Sequence, residues 1–108
     1  MAVGEWIRVA DAAEIAVGEG LRVEIGDEPV AIWNVDGTYY ATADTCTHEE
    51  ASLSEGELWA EVIECPLHGA QFDVRTGEVL SLPAIFPLST YPVKMEDGSL
   101  YVEWSERE

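Results

Sequence analysis

The chain predicts an all-β domain. Three observations carry that prediction: short segments in which apolar and polar residues alternate, Asp-Gly dipeptides set between such segments, and no helical apolar period longer than one turn.

Taken in order, Asp11-Ala12-Ala13-Glu14-Ile15 is the one plausible helical turn, too short to shape the architecture. Leu21-Arg22-Val23-Glu24-Ile25 alternates as a half-buried strand should. Gly26-Asp27-Glu28-Pro29 breaks it, and residues 30–35 resume as a second strand. Asp36-Gly37 is a two-residue hairpin signal, because both turn positions need positive φ, and residues 38–42 return from it. Residues 58–63 read as one strand, ending just before Cys65. Thr76-Gly77 joins two shorter strands, 71–74 and 78–80. Near the C-terminus the hairpin device recurs: residues 91–96, Asp97-Gly98, then residues 99–104. Pro92 inside a strand predicts an edge or a bulge there. Trp6, Trp33, Trp59 and Trp104 lie in or beside these strands and read as core or rim packing.

With 108 residues and 47% hydrophobic content, the expectation is a single domain over 1–108 with its own core. Between the early and late hairpins, residues 43–71 look like an inserted, loop-rich subdomain. No apolar run approaches the roughly 18–20 residues that span a bilayer. The N-terminal residues show neither a basic segment nor a following apolar one, so the expected location is the cytoplasm.

Twenty-two acidic residues against five basic ones give a formal net charge of −17. Such a field repels nucleic acid and anionic membrane surfaces and attracts a basic protein face. The bias is local too: Asp44, Glu49, Glu50, Glu55, Glu57, Glu61 and Glu64 fall within residues 44–72, which hold no Lys or Arg. A solvated acidic surface that only keeps the chain soluble is equally compatible.

That same segment contains every cysteine and histidine of the chain, as Cys46-Thr47-His48 and Cys65-Pro66-Leu67-His68. The order Cys-x-His…Cys-x-x-His is the spacing of a Rieske [2Fe–2S] centre, in which two histidines replace two cysteines on one iron. Neutral imidazoles bring no charge where thiolates would, so the added electron is easier to accept. Zinc sites usually take both cysteines from one knuckle and both histidines from another segment. Here the types alternate, which disfavours zinc. A catalytic Cys–His pair would leave the second pair without a role.

The chain resembles the Rieske-type ferredoxins of bacterial ring-hydroxylating oxygenase systems over nearly its full length. The resemblance rests on Cys46-Thr47-His48, Ala51-Ser52-Leu53-Ser54-Glu55-Gly56, Cys65-Pro66-Leu67-His68-Gly69, Leu82-Pro83-Ala84, Pro87-Leu88 and Tyr91-Pro92-Val93. It implies a Rieske fold, with an antiparallel sandwich base and a cluster-binding subdomain above it. It also implies one [2Fe–2S] cluster, with Cys46 and Cys65 on one iron and His48 and His68 on the other. The implied function is a carrier of single electrons from a flavin-dependent NAD(P)H reductase to a terminal oxygenase. By that reading the protein is a monomer and not itself a catalyst.

Compared with the quinol-oxidising branch of the family, the loop positions that hold a disulfide are Ala51 and Leu67 here. The positions that donate hydroxyls to cluster sulfur are Ala70 and Phe72. Fewer hydrogen bonds to sulfur and more nearby carboxylates both disfavour the reduced state. The expected potential lies toward the low end of the Rieske range of roughly −150 to +300 mV. The resemblance further implies solvent-facing histidine edges where electrons cross, and a midpoint that depends on pH in the alkaline range. Leu67, Pro83, Ala84, Ile85 and Phe86 then form either a dry docking patch or a rigid cover over the centre. Two other functions stay open: a small electron-transfer subunit of a larger oxidoreductase, such as a nitrite or arsenite enzyme, and a zinc-stabilised binding module.

Overall fold

A computed structural model of the chain describes residues 5–47, 51–67, 69–82 and 86–104. They form eleven strands: β1 Glu5–Asp11, β2 Gly20–Ile25, β3 Glu28–Val35, β4 Thr38–Ala43, β5 Glu57–Trp59, β6 Val62–Glu64, β7 Gln71–Asp73, β8 Val79–Ser81, β9 Thr90–Tyr91, β10 Val93–Glu96 and β11 Ser99–Trp104. The only helical pieces among the described residues are two 3₁₀ turns, Ala12–Glu14 and Leu53–Glu55. The strands build three antiparallel sheets, ordered β1-β11-β10, β2-β3-β4-β9 and β5-β6-β7-β8. The fold is all-β, as the alternation predicts.

Both Asp-Gly dipeptides turn as expected. Asp36 and Gly37 have φ of 52° and 91°, and Asp97 and Gly98 have 51° and 79°. These are the left-handed values that make Asp-Gly the favoured pair for a tight hairpin.

Strand β3 is the hinge of the architecture. Its residues from Val30 to Asn34 are all buried, so the strand is covered on both faces. Successive side chains point to opposite faces of a sheet. Val30 and Ile32 therefore join Ile25, Ala41, Leu100 and Val102 in one core, between the first two sheets. Ala31 and Trp33 join Ile63, Phe72, Val74 and both cysteines in a second core, beneath the third sheet. The middle sheet thus couples the base to the two cysteine-bearing loops through one strand.

Three expectations need correction. The stretch read as a single strand over residues 58–63 is a hairpin, β5 and β6, turning at Ala60 and Glu61. Ala60 has φ of +54° there, a conformation that its Cβ disfavours and that no Gly, Asn or Asp announces. The strand read over residues 91–96 is divided at Pro92, since proline has no N–H to continue a ladder. Residues before it pair with β4, while those after it pair with β11. Pro92 is thus the point at which the chain changes sheets, and its carbonyl accepts a bond from Glu103 N at 3.0 Å. Finally, β1 is a strand that the alternation did not reveal. It carries a register shift between Arg8 and Ala10, which breaks the period of two.

The tryptophans divide between the two packing roles. Trp33 is fully buried and donates from Nε1 to Thr42 Oγ1 at 2.9 Å. Trp104 stacks against Tyr91 with ring centroids 5.1 Å apart, joining the first sheet to the second. Trp6 and Trp59 are exposed at the rim.

Candidate metal centre

Two loops carry the candidate ligands, one leaving β4 and one leaving β6. Cys46 and Cys65 are buried, unlinked thiols in the second core. Their loops close in the same way. Cys46 N donates to Ala51 O at 3.0 Å, and Cys65 N donates to Ala70 O at 2.8 Å. In both loops the cysteine amide reaches the carbonyl five residues on, and that carbonyl belongs to a buried alanine. The small closing residue lets each loop base sit flat on the core.

His48 and His68 lie outside the described residues, as do Pro83, Ala84 and Ile85. Among the described residues, no three ligating side chains come together. The donor chemistry of the described pair nevertheless fits an iron–sulfur group. Two soft sulfur ligands lie in one dry core, each at the base of a matching loop, and they are not consumed in a disulfide.

The first loop is braced by Asp44, which sequence reasoning counted only as one acid among seven. Its carboxylate is 1% exposed. Oδ1 accepts from Ser54 N at 2.8 Å, and Oδ2 accepts from the Ser52 hydroxyl, which also bonds Ser54 Oγ at 2.9 Å. Its backbone works as well: Asp44 N donates to Pro29 O at 3.1 Å, and Leu53 N donates to Asp44 O at 2.7 Å. Arg22 of β2 brings its Nε to 3.8 Å from Oδ2. No local signal marks this residue. Its partners come from β2 and from residues 52–54, and a sequence pattern shows them only once the fold has brought them together.

The second loop turns through Gly69, whose N donates back to Cys65 O at 3.2 Å. Behind it, Gln71 Nε2 bonds Glu64 Oε1 at 3.3 Å. An open cleft of about 600 Å³ borders both loops, lined by Arg22, Asp44, Ser52 and Glu55 and by Pro66 and Leu67.

The acidic field is less uniform than the sequence suggests. Glu61 has Arg75 at 3.6 Å, and Asp44 has Arg22. Glu55 and Glu57 are exposed, while Glu49 and Glu50 lie outside the described residues. Further down β7, Asp73 takes two side-chain bonds from Arg75, at 2.9 and 3.2 Å. Those bonds hold its carboxyl below the usual carboxylate range, against the opposing effect of burial.

Around the loops, Leu67, Leu82 and Phe86 are large exposed apolar side chains. Thr47 Oγ1 donates to Phe86 O at 2.8 Å, tying Phe86 to the first loop. Ala70 and Phe72, by contrast, are fully buried and carry no hydroxyl.

Comparison with known proteins agrees with this geometry. The model of the Rieske [2Fe-2S] domain matches residues 5–92. The ferredoxin component of biphenyl 2,3-dioxygenase from Rhodococcus jostii strain RHA1 is 46% identical over 96 residues, covering 89% of this chain and 90% of that protein. Two solved structures superpose closely. The Sphingomonas yanoikuyae B1 ferredoxin gives a TM-score of 0.88 at 36% identity, over 93% of this chain and 99% of that one. A chain in the complex of reduced oxygenase and oxidized ferredoxin in carbazole 1,9a-dioxygenase gives 0.85 at 44% identity, over 89% and 99%.

Proposed function

The chain belongs to the Rieske [2Fe–2S] domain family, and we propose that Cys46, His48, Cys65 and His68 hold one cluster through which it carries single electrons. Its role is that of the ferredoxin component of a ring-hydroxylating dioxygenase system, an electron-transfer protein rather than a catalyst. One observation carries this reading. The chain aligns over 99% of a separate ferredoxin, and the described positions around its two cysteines form one dry, disulfide-free site.

A Rieske cluster, when bound, supplies reversible one-electron chemistry. The chain's own residues supply the rest. Cys46 and Cys65 provide thiolates from the buried side of the loops, and His48 and His68 provide imidazoles. Ile63, Phe72 and Leu53 keep the sulfur side dry, which shields the ligands from exchange with water. Asp44 and the paired amide closures hold each loop in its own shape. Leu67 and Phe86 offer a dry contact surface at the loop edge.

We assign two partners. The terminal oxygenase is supported by the solved carbazole dioxygenase complex, in which a ferredoxin sits with an oxygenase. A flavin-dependent NAD(P)H reductase is the electron donor in this reading, since one-electron delivery from a two-electron nicotinamide needs a flavin in between. The protein works as a monomer in the cytoplasm, as one domain over 1–108, with residues 43–71 as its cluster-binding part. Among the described residues no helix is long and apolar enough to cross a membrane.

Purification with iron and sulfide quantified tests the site directly. The expected product is red-brown, with about two irons per chain and an electron paramagnetic resonance signal on reduction that is typical of mixed histidine and cysteine ligation. A colourless protein with one zinc per chain overturns it.

A further inference from the structure

Asp44 stands two residues before Cys46, is almost wholly buried, and holds the first loop through Ser52 and Ser54. A carboxylate in that position costs a great deal to bury unless it is paired. Its charge partner is Arg22, which comes from the base of the fold rather than from the cluster-binding part, with Nε 3.8 Å from Oδ2. The other described basic side chains are committed elsewhere: Arg8 to Asp11, Arg75 to Asp73 and Glu61, and Lys94 to Glu96. Arg22 is therefore the one described cation beside the first ligand loop.

We propose that Arg22 protects the reduction potential of the centre from the buried charge of Asp44: Asp44 fixes the Cys46 loop, and Arg22 offsets its carboxylate so that the pair is close to neutral toward the added electron. This inference rests on the cluster assignment above. The reasoning is electrostatic. The added electron is disfavoured by the Asp44 carboxylate and favoured by the guanidinium beside it, and of the two the carboxylate is buried while the guanidinium is half exposed. Arg22 also faces Glu24, at 3.6 Å on the solvent side, so part of its charge is screened there. Its effect on the centre should accordingly shrink with added salt.

The test is a redox titration of the purified holoprotein and three variants, with the visible and magnetic resonance spectra recorded in parallel. Arg22 is about half exposed, so Arg22→Gln leaves packing in place. The expected result is an unchanged spectrum with a midpoint shifted to more negative values, and a shift that diminishes as salt rises. Arg22→Lys, which keeps the charge, should restore most of the wild-type value. Arg22→Gln with Asp44→Asn removes both charges: a midpoint returned toward wild type, or loss of the cluster in this variant alone through the missing Asp44 brace, supports the inference, and an intact cluster still at the Arg22→Gln midpoint overturns it. An intact spectrum with an unmoved midpoint in Arg22→Gln overturns the inference, as does a shift that Arg22→Lys fails to reverse. Loss of the cluster in Arg22→Gln also overturns it, by making Arg22 a folding residue. Failure of the assignment underneath looks different: the wild-type protein itself then shows no iron–sulfur spectrum.

Discussion

The backbone carbonyl of Glu64 lies 2.1 Å from the place where a Cβ on Gly56 would stand. Gly56 ends the 3₁₀ turn after the first ligand loop, and Glu64 ends the strand that leads to Cys65. The turn that follows the first ligand loop is therefore packed backbone to backbone against the strand that leads into the second, and no Cβ fits at position 56. Gly56→Ala must push them apart. Overpacking of this kind costs about 1–3 kcal/mol. We expect a lower unfolding midpoint and a substoichiometric cluster content, measured by thermal melting and iron quantification. An unaffected iron content would mean that the loops are not held at this spacing.

Asp73 and Arg75 give a prediction about acid. The guanidinium holds the Asp73 carboxyl below its ordinary value of 3.8. A carboxyl lowered on folding contributes stability that is present above its unfolded value and lost as pH falls through the folded one. Arg75→Met removes the largest cause of the lowering and leaves the backbone N–H bonds, so the acid loss should begin at higher pH than in the parent protein. Arg75 is exposed, and the effect should be modest and reduced by salt. Unfolding followed as a function of pH between about 2 and 5 checks it. Coincident acid limbs in parent and variant would refute the pairing.

The potential is predicted from what surrounds the sulfurs. Ala70 and Phe72 are buried beside the second loop and offer no hydroxyl donor. Exposed Glu55 and Glu57 add negative field, only partly offset by the guanidinium groups near Asp44 and Glu61. The midpoint should fall toward the low end of the Rieske range of roughly −150 to +300 mV. Introducing a donor with Phe72→Tyr should raise it. A parent midpoint clearly above zero contradicts the account.

How much of this was legible beforehand depends on whether the cause was local. The Asp-Gly hairpins were legible because positive φ at Asp36, Gly37, Asp97 and Gly98 is a demand that the dipeptide answers by itself. The cysteine pair was legible for the same reason: Cys46 and Cys65 belong to two short motifs close in sequence, and the fold brings both into one core. The Ala60 turn was not, because alanine carries no turn signal. Strand β1 was hidden by its bulge and by a partner at the far end of the chain. Asp44 was the main omission at the site. Its burial depends on Arg22, Ser52 and Ser54, none of which marks it as special until the loops are folded.

Docking gives the next prediction. Leu67 and Phe86 are 59% and 62% exposed and flank the ligand loops. The Thr47–Phe86 bond holds the Phe86 backbone against the first loop, while its side chain faces solvent. Leu67→Asp and Phe86→Asp test the contact surface proposed above, which is the expected outcome, against a cover over the centre. As a patch, each should lower the rate of electron delivery to the oxygenase by about tenfold or more, with the cluster spectrum intact. As a cover, each should instead lose cluster while the delivery rate per loaded centre stays the same.

The central claim is that this chain passes one electron at a time to a terminal oxygenase. Rapid mixing tests it most directly: the protein, reduced to one electron per chain, is mixed with an oxidised terminal oxygenase of a ring-hydroxylating system, and both iron–sulfur spectra are followed. The account predicts that the carrier reoxidises as the oxygenase becomes reduced, in one-to-one electron stoichiometry. The rate should fall as salt screens the acidic surface. A carrier that stays reduced in the presence of a competent oxygenase would contradict it.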